Sequence, residues 1–413
     1  MPSQYVTVVT PKAPVGQRVY LVAPPLPSPF GIKRVLVSER GLNPLSIQVL
    51  LPPTTTQEIL LTTPGLTRLS QAPILYPEDF EEEATAAVQH LRADPRRQYE
   101  MADALMAPFC NRVWDSSGGN KVTVHWEDRK PVEIAANFGP GLAGHGLVYD
   151  LKYDQVEPVE ENGFYGLRGT GTIKGWFEPF EITHWVGIRN GEFFRSVSLR
   201  NVSDTLREVI ACIGSHPYFL IPDDVKRAEV TVEIPARFVV LTEDSARPMF
   251  PTGYQAVTES KLAQLFSGEM AQNKLGSISL DHCFFGLTPE ALGSGSSDLK
   301  VNARIFFPGN YGLEISAGLI KAGKYKPVNA VVVYSPADTS AHMRGAGLEG
   351  KRNFLCFEMQ TPLLGAMEFD QWAKLLPEDL WRTFYFHTPT GMRRISCGRE
   401  LEWEVSYRLI GHQ

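Results

Sequence analysis

The feature that most constrains this chain is the number of short segments in which apolar and polar residues alternate. Lys121–Trp126, Val148–Tyr153, Gly171–Trp176, Glu181–Val186, Phe193–Leu199, Arg227–Ile234, Leu299–Phe306, Asn329–Tyr334 and Leu401–Leu409 all carry the two-residue period of a half-buried strand. Arg18–Ala23, Lys33–Ser38 and Ser46–Leu51, rich in β-branched residues, read as three further strands near the N-terminus. Pro24, Pro25, Pro27 and Pro29 separate the first of these from the second. Gly, Pro and Asn turns punctuate the rest, and no fixed-period repeat is visible. The expectation is an all-β chain folded as one large antiparallel sandwich with few helices.

The one long helical stretch runs from about Pro77 to Met106. It opens with Pro77, Glu78 and Asp79 and continues with Ala, Leu and Met at helical spacing. Asp94-Pro95 divides it into two helices. Shorter helices are expected around Thr258–Phe266 and Glu368–Leu375. Residues 1–413 are therefore read as a single sandwich domain, with 1–105 an enlarged N-terminal region carrying a helical insertion at about 77–106. Gly293–Ser297 and the glycine-containing stretch Ser340–Arg352 read as surface loops.

Composition then limits the partners. A formal charge of −6 gives no reason to expect nucleic acid or an anionic membrane. No apolar run has the length of a bilayer span. Met1–Tyr5 shows no basic segment leading into an apolar one, so the expected location is the cytoplasm. The five cysteines, Cys110, Cys212, Cys283, Cys356 and Cys397, are scattered and never form a CxxC pair. That pattern argues against a disulfide framework and against a thiolate metal site, and four of the five lie in apolar runs that suit buried, reduced thiols.

Chemistry concentrates in a few places. Phe354–Pro362 reads as a buried strand, with Phe354, Cys356 and Glu358 in alternate register. A carboxylate there either has a partner or serves as a general base, because burying it alone costs several kcal/mol. His216 follows an apolar strand and precedes Pro217, Tyr218 and Phe219. It reads as a hydrogen-bonded core residue or as one wall of a pocket for the apolar face of a sugar. His145 lies in a glycine-rich loop, which reads either as an exposed turn or as a close approach to a ligand. Arg112 and Asp281 sit at the edges of apolar runs, as surface charges, a structural ion pair or site residues. Asp281-His282 is too small a cluster to argue for a metal, and no nucleotide-binding glycine motif appears. Neither a cofactor nor a metal is expected.

Taken in order, five short motifs resemble the aldose 1-epimerase (galactose mutarotase) family. They are Pro108…Asn111-Arg112, Asn137…His145-Gly146, His216-Pro-Tyr218-Phe219, Asp281-His-Cys283-Phe284 and Cys356-Phe-Glu358-Met-Gln360. The resemblance covers roughly residues 105 to 410 and leaves the N-terminal region unmatched. It implies the galactose mutarotase-like supersandwich, a monosaccharide substrate, and a monomer or homodimer. It also implies interconversion of the α and β anomers of a hexose by acid/base ring opening. Glu358 would be the base, His216 the acid and His145 a hydrogen-bonding partner near the reacting atoms. Arg112, Asp281, Asn111 and Tyr218 would hold the sugar, with Gln360 assisting. Two departures from the family pattern, Leu220 where an Asn is usual and Leu147 after the His-Gly pair, bear on substrate identity. The competing readings are an epimerase-like enzyme for a phosphorylated hexose, using Arg195, Arg344 or Arg352, and a sugar-binding protein without turnover. A polysaccharide lyase or hydrolase on a related sandwich is a third.

Overall fold

The computed structural model describes residues 4–25, 30–51, 55–62, 81–93, 102–115, 118–204, 207–243, 247, 249–267, 273–292, 296–309, 311–338, 353–384 and 386–411. Two antiparallel sheets dominate. The first has seven strands: β1 (Asp103–Met106), β2 (Gly214–Ile221), β3 (Phe238–Glu243), β4 (Phe250–Ala256), β5 (Leu280–Phe285), β6 (Ala330–Ser335) and β7 (Asn353–Gln360). Their order across the sheet is β4-β3-β5-β6-β7-β2-β1. The second sheet has ten strands, among them Phe164–Ile173, Phe180–Arg189, Glu192–Asn201, Leu299–Phe307, Tyr311–Lys321 and Glu400–Gly411. The expected sandwich is thus present.

Alternation along each strand explains why the sheets stack. In β7, Leu355, Phe357 and Met359 point into the main core, where they meet Val197, Leu199, Trp403, Val405 and Tyr407 of the larger sheet. Arg195 was one candidate phosphate ligand, but it lies inside this core with no exposed surface. Its Nη1 donates to Asp103 Oδ1 at 3.0 Å and its Nη2 to the Asp103 carbonyl at 3.0 Å. Tyr407 OH donates to Asp103 Oδ2 at 2.8 Å, so both carboxylate oxygens are engaged and the pair bolts the sheets together, with only Arg195 Nε left unpaired among the described residues.

A third sheet of five strands, from Val6–Val8 to Thr55–Glu58, occupies the N-terminal region. One of its faces (Val22, Val35, Val37, Ile47) joins the main core. The other (Val19, Leu21, Leu36, Leu45) covers Ala84, Ala87 and Val88 of the helix Glu81–Ala93, together with Tyr218, Leu220, Phe354 and Cys356. The segment after this sheet continues the hydrogen bonding around β2: Leu61 N donates to Tyr218 O, and Leu220 N to Ile59 O.

Three local expectations are corrected. The helical stretch is helix over Glu81–Ala93, but Asp103–Met106 is a strand, because its four buried residues pair with β2. The division at Asp94-Pro95 falls outside the described residues. Val148–Tyr153 alternates but forms a turn closed by Leu151 N to Val148 O. Its Tyr149 carbonyl is taken by the Asn43 side chain at 2.6 Å instead of by a neighbouring strand. Arg227–Ile234 is a 3₁₀ turn over Arg227–Glu229 and then a strand, Thr231–Glu233. Arg227 is spent on Ser335 and on the Ile278 carbonyl. All five cysteines are free, four of them buried. Among the described residues no helix is long and apolar enough to cross a membrane.

Candidate active site

The outer face of the seven-stranded sheet is covered at both ends. The N-terminal helix and sheet cover the β1 side. Leu363, Leu364 and the helix Phe369–Leu375, through Trp372, cover Val240, Cys283 and Phe285. Between these covers lies a hollow of about 600 Å³, counted out to its open mouth. Twelve residues line it, including Asn111, Arg112, His145, His216, Tyr218, Asp281 and Glu358. Seven of the eight residues singled out in the sequence therefore face one space, although they come from five separate stretches.

Strand register builds the floor. Gly214 pairs with Gln360 and Tyr218 with Cys356, which sets His216 opposite Glu358 across β2 and β7. On the next strand Val332 pairs with Glu358, and beyond it Asp281 pairs with Tyr334. Because the side-chain period is two, these residues share one face as two adjacent rows. His216 Nε2 lies 3.2 Å from Glu358 Oε1, with the two side chains 6% and 3% exposed. The His216 ring stacks on Tyr218, centroids 4.9 Å apart and planes 25° apart.

Loops build the wall. Asn111 and His145 both adopt positive φ (57° and 59°), and His145 N donates to Asn111 O at 2.9 Å. Arg112–Trp114 pairs with Leu142–Gly144, so Arg112 and His145 are delivered by one two-stranded ribbon. Gly146 follows at φ 80°, where an added Cβ would lie 2.3 Å from the Ala107 carbonyl, so only glycine fits beside the imidazole. Asn137 braces the loop: its Oδ1 accepts from Gly144 N at 2.8 Å and its Nδ2 donates to Gly144 O at 3.0 Å. Phe138 sits edge-on to His145 at 4.9 Å, and the two histidine rings are 4.6 Å apart. His145 Nδ1 lies 3.0 Å from Met106 Sδ.

Electrostatics follow from this crowding. Burial pushes the Glu358 carboxyl well above its usual value; the Asp281 carboxylate adds to the shift and Arg112 opposes it. Burial also holds the His145 imidazole well below the usual histidine value, with His216 and Arg112 pushing the same way. His145 is therefore neutral near pH 7. Glu358 Oε2 is buried without a hydrogen-bond partner among the described residues. An unsatisfied acceptor of this kind points to a group that arrives from outside.

Gln360 is the exception among the singled-out residues. Its amide is used within the protein, with Oε1 accepting from Asn111 Nδ2 at 3.0 Å and Nε2 donating to the Pro362 carbonyl at 2.9 Å. It aims Asn111 and does not line the hollow. Leu220 faces the N-terminal helix cluster and Leu147 packs on the main core, so neither departure from the family pattern lies on the hollow's surface. Arg344 and Arg352 fall outside the described residues. The structure adds Phe138, Met249, Val332, Tyr334 and Leu364 to the lining. As ordinary apolar residues they carried no signal in the sequence beyond strand pairing.

No metal set was expected, yet the fold assembles one arrangement of donors. One ligand atom each from His145, His216 and Glu358 lies within 4.8 Å of the others, and all three residues are buried. Two imidazoles and a carboxylate suit a transition ion such as Zn²⁺, but at bond lengths of about 2.0–2.2 Å the three groups would have to draw together.

No protein-family model and no curated protein matches this chain. Solved structures do match it, and they agree with one another: their fold is that of the galactose mutarotase-like and aldose 1-epimerase proteins. A galactose mutarotase-like protein from Clostridium acetobutylicum superposes with a TM-score of 0.61 at 14% identity, over 96% of this chain and 96% of that one. Galactose 1-epimerase from Lactobacillus acidophilus gives 0.56 at 13% identity over 100% of both chains. An aldose epimerase homologue from C. elegans gives 0.56 at 14% identity, over 93% of this chain and 97% of that one.

Proposed function

We propose that this protein is an aldose 1-epimerase that interconverts the α and β anomers of a free hexose. The observation that carries the reading is the His216–Glu358 pair, 3.2 Å apart on the floor of an open hollow. Ring opening needs one proton removed from the C1 hydroxyl and one delivered to the ring oxygen. Glu358 takes the first while His216 gives the second, and the C1–O5 bond breaks to leave an aldehyde. Rotation about C1–C2 presents the other carbonyl face. On closure O5 attacks C1, His216 recovers its proton from O5, and Glu358 returns its proton to O1. No net proton is consumed.

The environment suits these roles. A carboxyl pushed above its usual value is a stronger base when ionised, and it works closer to neutral pH. The neutral His145 imidazole donates or accepts a hydrogen bond beside the reacting atoms without adding charge. Tyr218 and Phe138 offer apolar surface to the sugar ring, while Asn111, Arg112 and Asp281 offer polar contacts to its hydroxyls. A free hexose is favoured over a hexose phosphate because Arg112 is the only lysine or arginine lining the hollow among the described residues.

The test is polarimetry on freshly dissolved α-glucose and α-galactose. Acceleration over buffer is the expected result. Sugar binding with no acceleration would leave a binding protein, and acceleration only with hexose phosphates would move the assignment to the phosphorylated class.

A further inference from the structure

A second cavity lies away from the hollow and shares no lining residue with it. It encloses about 1110 Å³ out to its mouth, between the hairpin Tyr311–Lys321/Lys324–Pro327 and the segment that leads through Arg393–Ile395 into Glu400–Leu401. The chain as a whole is acidic, at −6. Here the sign inverts: Lys321, Lys326, Arg393, Arg394 and Arg399 line the groove against one carboxylate, Glu400. That carboxylate already accepts from Ser198 Oγ at 2.7 Å.

The cations are not all spoken for. Arg394 is tied to Glu127, and Arg393 donates from Nη2 to the neutral Asn329 Oδ1 at 3.3 Å. Lys321, Lys326 and Arg399 form no ion pair among the described residues. Partial burial, with Arg393 and Lys321 adding to it, pushes the His387 imidazole at the rim down to about 4. Burial is the larger cause of that shift, and the two cations add to it. Below the rim the floor is apolar, formed by Leu319, Phe386, Ile395 and Leu401.

We propose that this groove binds a small organic phosphate, with the phosphate among Lys321, Lys326 and Arg399 and the carbon body on the apolar floor. A phosphate supplies the charge that the cations lack and accepts several of their hydrogen bonds at once. A bare inorganic ion would leave the floor unused, and an open groove with an apolar floor suits a small molecule that carries both a charged group and a carbon body. The proposal does not depend on the epimerase reading, because binding is measured without turnover.

Isothermal titration with phenyl phosphate, inorganic phosphate and phenol tests it. Phenyl phosphate should bind at least about fivefold tighter than inorganic phosphate, and phenol should not bind detectably. The double variant Lys321→Glu/Arg399→Glu should weaken phenyl phosphate at least about tenfold, because attraction becomes repulsion at two exposed positions. Both positions lie at the surface and outside the hollow, so the variant should keep its circular dichroism and any effect on hexose anomers. Arg393 is left in place because Asn329, its partner, also braces the Thr361 and Gly391 carbonyls. Three results would overturn the proposal: no heat from phenyl phosphate up to about 10 mM, equal affinity for inorganic phosphate, or undiminished binding by the folded double variant. The last would place the phosphate elsewhere, for example beside Arg112.

Discussion

Glu358→Gln keeps the shape of the side chain and removes its charge, and the structure gives its two consequences opposite signs. Turnover should fall by about 10²–10⁴-fold, the usual contribution of a placed base. Stability should rise. The carboxyl is 2% exposed and its Oε2 lacks a hydrogen-bond partner among the described residues. Each pH unit above 4.5 through which the folded carboxyl keeps its proton costs about 1.4 kcal/mol relative to the unfolded chain, so about 1–3 kcal/mol over the first one to two units, and a neutral amide carries no such cost. With an unfolding entropy near 2.1 cal/mol/K per residue, a 413-residue chain gains about 1 °C per kcal/mol, so the melting temperature should rise by roughly 1–3 °C. The sign with pH follows from the raised carboxyl. Above its unfolded value of 4.5 the folded state holds the proton that the unfolded state has released, so wild-type stability falls as pH rises through that window. The variant lacks this slope. Its advantage should be largest at neutral pH and shrink toward pH 4.5. Polarimetric rates and melting curves between about pH 5 and pH 8 read both effects. A variant within about tenfold of wild-type activity, or one that melts lower at every pH, would refute the reasoning.

Other expectations rest on neighbouring features. His216→Asn should reduce kcat far more than it raises KM in steady-state polarimetry, and a change confined to KM would make His216 a binding residue only. Zn²⁺ should inhibit competitively with sugar and be reversed by a chelator, since it would engage His145, His216 and Glu358 together; rates indifferent to excess Zn²⁺ would remove the trio as a donor set. Arg195→Met should destabilise the protein by about 3–5 kcal/mol in urea unfolding, because it strands the buried Asp103 carboxylate. A loss below about 1 kcal/mol would mean that Asp103 is neutral or re-partnered.

Much of the site was legible because a strand repeats every two residues. His216 with Tyr218, and Cys356 with Glu358, are spaced to share a face, and the fold places those faces side by side. The loop residues were legible through the family resemblance and, for His145, through its glycine-rich surroundings; the left-handed conformations of Asn111, His145 and Gly146 show only in the structure. The motif position of Gln360 says nothing about which way its amide points, and the fold turns it toward Asn111 and the Pro362 carbonyl. Phe138, Met249, Val332, Tyr334 and Leu364 were invisible because an apolar residue facing a hollow has the same chemistry as one facing a core. Among the strands, alternation failed at Val148–Tyr153. There a side-chain amide, Asn43 Nδ2, satisfies the backbone in place of a partner strand, and no local pattern encodes a contact from over a hundred positions away.

The strand order of the seven-stranded sheet has a consequence for biosynthesis. Asn111 and Gln360 stand 249 positions apart, yet share a hydrogen bond beneath the hollow. A nascent chain that has emerged as far as Ile221 carries His216 on a strand whose neighbour on one side, Asn353–Gln360, has yet to be translated. Until it arrives, an apolar edge stays open to other chains, and closure across so long a loop is slow. Losses of yield on heating a producing cell should therefore arise at the ribosome, in half-made chains, more than from the finished molecule.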